Sequence, residues 1–294
     1  MINLSPSRRK KRCKAFTLIE IMVATVIMVI LVGLVIQITS EVLNVWNRSS
    51  GKLSANAEAR IAMDLITQDL ETAVFRNNSL EWFRAEDATL TGPGGELSAT
   101  VALRLFAPVT DRPEGPGDIC AVAYKLDYVN PVDGTASGAD RTFVLYRLVV
   151  DAQTTFNDLM GDPIQATLPG KDDPTWGTES IIGDQGSNYL VSNIVEFKID
   201  FHVTGDGTSE TSVADGSTTA ATIYGGDDAT VGIQATDPRL QYSLAYAEIN
   251  LTVVSDQGIK MLQNIDRIPE TVEEVVIEYG QKFVRRVNFI ARAL

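Results

Sequence analysis

Lys14-Ala15-Phe16-Thr17-Leu18-Ile19-Glu20 opens the apolar run on which the rest of the chain is organised. Over the 23 residues from Phe16 to Ile38, only Thr17, Glu20, Thr25 and Gln37 are polar. A helix of that length rises roughly 35 Å, enough to cross a bilayer core of about 30 Å. Residues 1–15 carry six basic side chains (Arg8, Arg9, Lys10, Lys11, Arg12 and Lys14) and no acidic one. That asymmetry holds the N-terminus in the cytoplasm and sends the remainder across the membrane. A carboxylate just inside the apolar run does not suit a plain anchor. A charge there costs about 2.5–3.5 kcal/mol on insertion scales, so Glu20 needs a partner. A secretory signal would instead end in small residues after a shorter apolar core, and none ends this run.

The basic leader followed by Ala15-Phe16-Thr17-Leu18-Ile19-Glu20 resembles the signal of type IV prepilins and type II secretion pseudopilins. The resemblance implies a leader of residues 1–15, cut by a prepilin peptidase between Ala15 and Phe16, and N-methylation of Phe16. It makes Glu20 the acidic fifth residue of the mature chain, meeting the Phe16 amine of an adjacent subunit as an assembly contact. The usual residue before the cut is Gly, and this chain has Ala15. Residues 16–38 would be the transmembrane and filament-core helix, and residues 39–294 an extracytoplasmic pilin-like domain.

Composition narrows the function classes. The 294 residues carry 25 basic and 38 acidic side chains, a net charge of −13; loss of the leader leaves 19 basic residues and a charge of −19. Phosphate affinity comes from Lys and Arg releasing counterions, so a nucleic-acid partner is not expected. Of the two cysteines, Cys13 leaves with the leader and Cys120 reads as a buried structural thiol.

Beyond Ile38 the helix is expected to continue to about Phe75. Val42, Trp46, Leu53, Ala57, Ile61, Leu65, Ile66 and Leu70 recur near helical spacing, prolonged by Ala73-Val74, and read as the face that packs on a sheet. Gly51 after Ser49-Ser50 is expected to bend or fray this helix. Arg60 and Asp64 form an i,i+4 pair worth about 0.2–0.5 kcal/mol. Ala59 to Ala73, with its Arg60 and its Asp69-Leu70 step, resembles the helix ending of J-type minor pseudopilins. The later order of Tyr124-Lys125-Leu126, Leu145-Tyr146-Arg147 and Val195-Glu196-Phe197 extends that resemblance.

After Asn78 the period changes to two. Strands are expected at 99–106, 119–128, 142–150, 193–203 and 243–254, with Asn130-Pro131 and Asp133-Gly134 turning a hairpin between the second and third. The β-branched run Val272–Ile277 and the segment Phe283–Ala293 complete this set. Loops near 152–188 and 204–238 are long for a compact domain. The fold class is therefore α+β: a long N-terminal transmembrane-plus-amphipathic helix packed on an antiparallel sheet, pilin-like.

Catalytic constellations are missing. His202 is the sole histidine and is read as a solvent-facing or satisfied strand residue, so no zinc set and no Ser-His-Asp triad can form. Gly92-Pro93-Gly94-Gly95 lacks the Lys-Ser/Thr of a P-loop. Some pseudopilins bind calcium in acidic loops; here Asp133–Asp140, Asp206–Asp215 and Asp227-Asp228 miss EF-hand spacing and read as solvated turns, with no cofactor expected. The resemblance implies a non-enzymatic minor pseudopilin in the inner membrane, partnered by prepilin peptidase and other major and minor pseudopilins. The alternatives are a minor pilin of an adhesion or DNA-uptake pilus and a membrane-tethered binding module that does not polymerise.

Overall fold

The computed structural model describes residues 17–74, 82–111, 117–138, 141–160, 188–203, 210–213, 222–224 and 244–289. Helix α1 (Leu18–Thr72) is 55 residues long and remains helical through Gly51, so the expected fraying there does not occur. Two compact units divide the chain, residues 1–49 and residues 50–294. In the first, every described residue is exposed.

In the second unit, α1 buries Ala55, Ala59, Ala62, Met63, Ile66, Asp69 and Leu70. These positions recur at three and four residues and so lie on one face. Ile66, Leu70 and Ala73 of the expected stripe are in the core. Leu53 and Ile61 are not: they are 68% and 54% exposed. The helix is apolar on two sides, and the side carrying Ala55, Ala59, Ala62, Met63, Ile66 and Leu70 is the one that faces inward.

The strands form two antiparallel sheets rather than one. The first has six strands in the order β5-β4-β3-β2-β1-β8. They are β1 (Phe83–Gly92), β2 (Gly95–Pro108), β3 (Ile119–Val129), β4 (Thr142–Val150), β5 (Tyr189–Ser192) and β8 (Thr222–Tyr224). The second has the order β10-β9-β6-β7, from β6 (Ile194–Val203), β7 (Glu210–Val213), β9 (Leu244–Val254) and β10 (Gly280–Asn288). An α+β arrangement with a long apolar N-terminal helix is thus present, as the sequence implies. β7 and β8 fall within the segment expected to be loop, and the helical turns Ala152–Thr154 and Thr155–Leu159 begin the other loop. Residues 161–187 and 225–243 lie outside the described residues.

Alternation assigns the faces. Val122, Tyr124, Leu126 and Tyr128 of β3 join the main core with α1 and the second sheet, including Phe197, Ile199, Phe201, Ala247, Ile249 and Leu251. Ala121 and Ala123 point the other way, into a smaller cluster with Trp82, Phe106, Val144, Tyr146 and Leu159. Gly92-Pro93-Gly94-Gly95 turns the β1–β2 hairpin, and Gly94 and Gly95 take φ of +83° and +111°, which a residue with a Cβ adopts only under strain. Asn193, at φ 65°, is the single residue between β5 of the first sheet and β6 of the second. Its N–H donates to the Phe143 carbonyl (2.7 Å), its carbonyl accepts from Val254 N–H (2.9 Å), and its amide donates to Asp256 (2.7 Å).

Val272–Ile277 is not a strand. It lies in helix α3 (Val272–Tyr279), which follows α2 (Asp256–Gln263). Thr271 and Glu274 close a capping box at its start, satisfying helix-end N–H groups that a strand of the same composition would not leave unpaired.

Candidate functional site

At the start of α1 the local chemistry is set by Thr17 and Glu20. The Thr17 N–H and hydroxyl donate to the Glu20 carboxylate at 2.9 and 2.8 Å, and the Glu20 N–H donates back to the Thr17 hydroxyl at 3.4 Å. This reciprocal pattern satisfies two of the four orphan N–H groups at the helix end. The carboxylate that the sequence left in need of a partner therefore has one in its own chain. Among the described residues one helix is long and apolar enough to span a bilayer, and none of its most apolar window is buried. Ala15 and Phe16 lie outside the described residues.

The far end of α1 carries the second cluster. The Arg147 guanidinium, on β4, donates through Nε (2.8 Å) and Nη2 (3.1 Å) to Asp69 of α1. Nη1 and Nη2 reach Asp111 at 2.6 and 3.2 Å. The Tyr124 hydroxyl, on β3, donates to Asp69 Oδ2 at 2.5 Å. Asp69 and Tyr124 are buried, and the planar fork of Arg is suited to two carboxylates at once. The cluster ties the helix to two strands, and Asp69, Tyr124 and Arg147 all fall in stretches singled out by the J-type resemblance. Its members are too far apart in sequence for any local pattern to have joined them.

Other expectations resolve singly. Asp64 pairs with Arg285 of β10 (2.5 Å) rather than with Arg60. His202 is not solvent-facing: it is buried and stacks on Tyr246, centroids 4.1 Å apart. Cys120 is fully buried. Asp133 is held by the N–H and hydroxyl of Thr135, which keep its carboxyl below the usual range. Among the described residues, no group of three or more His, Cys, Asp or Glu is placed to hold a metal.

The tyrosines of the first sheet set an alkaline limit. Burial, then the Asp69 charge, pushes the Tyr124 phenol well above its ordinary value of 10.0. Burial, with Asp127 and Tyr189, pushes Tyr146 up to about 12. The unfolded chain ionises first, so stability is complete below pH about 10 and falls as pH rises toward about 12. The melting temperature is expected to drop across that window, and by less in Tyr146→Phe, whose wild-type hydroxyl has no partner among the described residues. An equal drop in both proteins contradicts the assignment to Tyr146.

Residues 10–36 match the prokaryotic N-terminal methylation motif, which supports placing the chain with the prepilin-type proteins. The motif implies processing by a prepilin peptidase and assembly with other pilins. The apolar helix fits the single membrane anchor of such a protein. No curated protein and no solved structure matches the chain.

Proposed function

We propose that the chain is a minor pseudopilin of J-like type, working in or at the tip of a short filament of a type II secretion or type IV pilus-like machine. The observation that carries the reading is the methylation motif over residues 10–36, at the head of a helix whose first-unit residues bury nothing in their own chain. A helix this apolar needs lipid before assembly and neighbouring subunits after it. In this reading the peptidase cuts between Ala15 and Phe16 on the cytoplasmic side, the Phe16 amine is methylated, and residues 39–294 stand in the periplasm. The work is mechanical, and the charge of −19 argues against direct contact with DNA. Mass spectrometry of the membrane-extracted protein is expected to show a chain beginning at Phe16 with a methylated amine. A chain still carrying residues 1–15 in a host with active prepilin peptidase excludes the processing step.

One observation favours a second reading, a tethered module that does not polymerise: Glu20 already accepts two hydrogen bonds from Thr17. A carboxylate can accept more than two, however, and the new amine of a neighbour would add an ionic partner. Removing that partner leaves a poorly compensated charge and penalises misaligned packing, so the pair sets register even where it adds little net stability. Glu20→Leu is expected to keep insertion and cleavage and to lose cross-linking to partner pseudopilins and secretion. Normal cross-linking and secretion in Glu20→Leu would favour the tether.

A further inference from the structure

The two sheets have four edges, and among the described residues three of them are closed by short strands: β5 and β7 with four residues each and β8 with three. The fourth, β10, has nine residues. It pairs with β9 without a bulge from Gly280 opposite Val254 to Asn288 opposite Tyr246, and among the described residues with nothing else. A long regular edge presents a row of backbone donors and acceptors, and proteins blunt such edges by shortening, bulging or charging them. β10 is neither short nor bulged. It is charged, and the charge has one sign. Gly280–Leu294 holds Lys282, Arg285, Arg286 and Arg292 and no acid, in a chain whose net charge is −13.

The side chains divide by face. Phe283 packs against the core, Val287 is buried, and Arg285 turns to Asp64 of α1. Lys282, Val284 and Arg286 are exposed on the other face, with Arg286 lying 3.5 Å over the Tyr246 ring, which holds it in place. A second copy pairing through the same edge would set these cations against one another, and like charges across a strand pair are destabilising. An acidic strand meets the opposite situation.

We propose that the free edge of β10 is a docking surface for an extended acidic segment of a partner protein, added as a strand beside β10. Backbone hydrogen bonds supply affinity, and Lys282 and Arg286, two places apart on one face, select acidic side chains at alternate positions of the incoming segment. The proposal does not rest on the filament reading, because nothing in it involves residues before Ser50.

The probe is a fluorescent peptide of alternating Glu and Val, as long as β10, titrated with the full chain in detergent micelles and followed by anisotropy. Two further peptides accompany it: the same sequence with every backbone amide N-methylated, and one with Lys in place of Glu. The Glu-Val peptide is expected to bind at least about tenfold more tightly than either. The double variant Lys282→Glu/Arg286→Glu is expected to reverse the preference between the Glu and Lys peptides, its fold checked by circular dichroism. Equal binding of the N-methylated peptide would reduce the effect to surface charge and overturn strand addition. Lack of saturable binding to the wild-type chain overturns the site, whatever the fate of the double variant. A concentration-dependent dimer in sedimentation that the double variant abolishes would make a second copy the occupant and overturn the acidic partner.

Discussion

Arg147→Met is expected to cost about 3–5 kcal/mol of unfolding free energy, the range for removing one member of a buried ion pair. The loss arises from what stays behind. Asp69, with a side chain 3% exposed, would be left with only the Tyr124 hydroxyl as a partner. Asp111→Asn provides the contrast, because its side chain is 53% exposed and water can replace the fork; a change of about 0–1 kcal/mol is expected. Asp69→Leu together with Arg147→Met should recover much of the loss, since a buried pair replaced by apolar groups is often neutral. Urea unfolding of the set checks this. An Arg147→Met protein within about 1 kcal/mol of wild type would show that the cluster does not hold α1 to the first sheet.

The second large effect lies on the same helix. Ile66→Ala is expected to cost about 2–5 kcal/mol, because Ile66 is fully buried and the loss combines transfer with a cavity. Ile61→Ala, the same chemical change less than two turns away, is expected to stay within about 0.5 kcal/mol, since Ile61 is 54% exposed. Equal costs at the two positions would mean that the inward face of α1 is misassigned.

Ile61 and Ile66 also mark the limit of what helical periodicity reveals. β6 and β9 are legible because each alternates, and β3 and β4 because each is a largely apolar run with β-branched and aromatic residues. β1, with Phe-Arg-Ala-Glu-Asp-Ala-Thr-Leu-Thr-Gly, has too weak an alternation to stand out. On α1, the large side chains of Leu53 and Ile61 are exposed whereas Ala55, Ala59 and Ala62 are buried, so side-chain size does not reveal which apolar face of a two-faced helix turns inward. Val272–Ile277 looked like a strand by β-branching, although Thr271 three places before Glu274 was a visible helix start. The same spacing, Thr17 and Glu20, stands at the head of α1, where the resemblance assigns Glu20 to a neighbouring subunit instead. The apolar helix is the most legible part, since a bilayer span needs only length and apolarity. The Asp69–Tyr124–Arg147–Asp111 cluster was legible as conspicuous stretches but not as a site, because only the packing of α1 across β3 and β4 brings its members together.

The placement of the two thiols turns the chain into its own reporter. On the proposed cut after Ala15, Cys13 leaves with residues 1–15, so a maleimide dye attached there would mark molecules the peptidase has not cut. Cys120 lies fully buried in the main core, beyond the reach of the same dye until that core opens. Labelling before and after denaturation thus counts uncut leaders and intact cores in one sample. A single cysteine introduced at Val284 of a cut chain would then be the one reactive handle, ready for cross-linking, with no native cysteine removed.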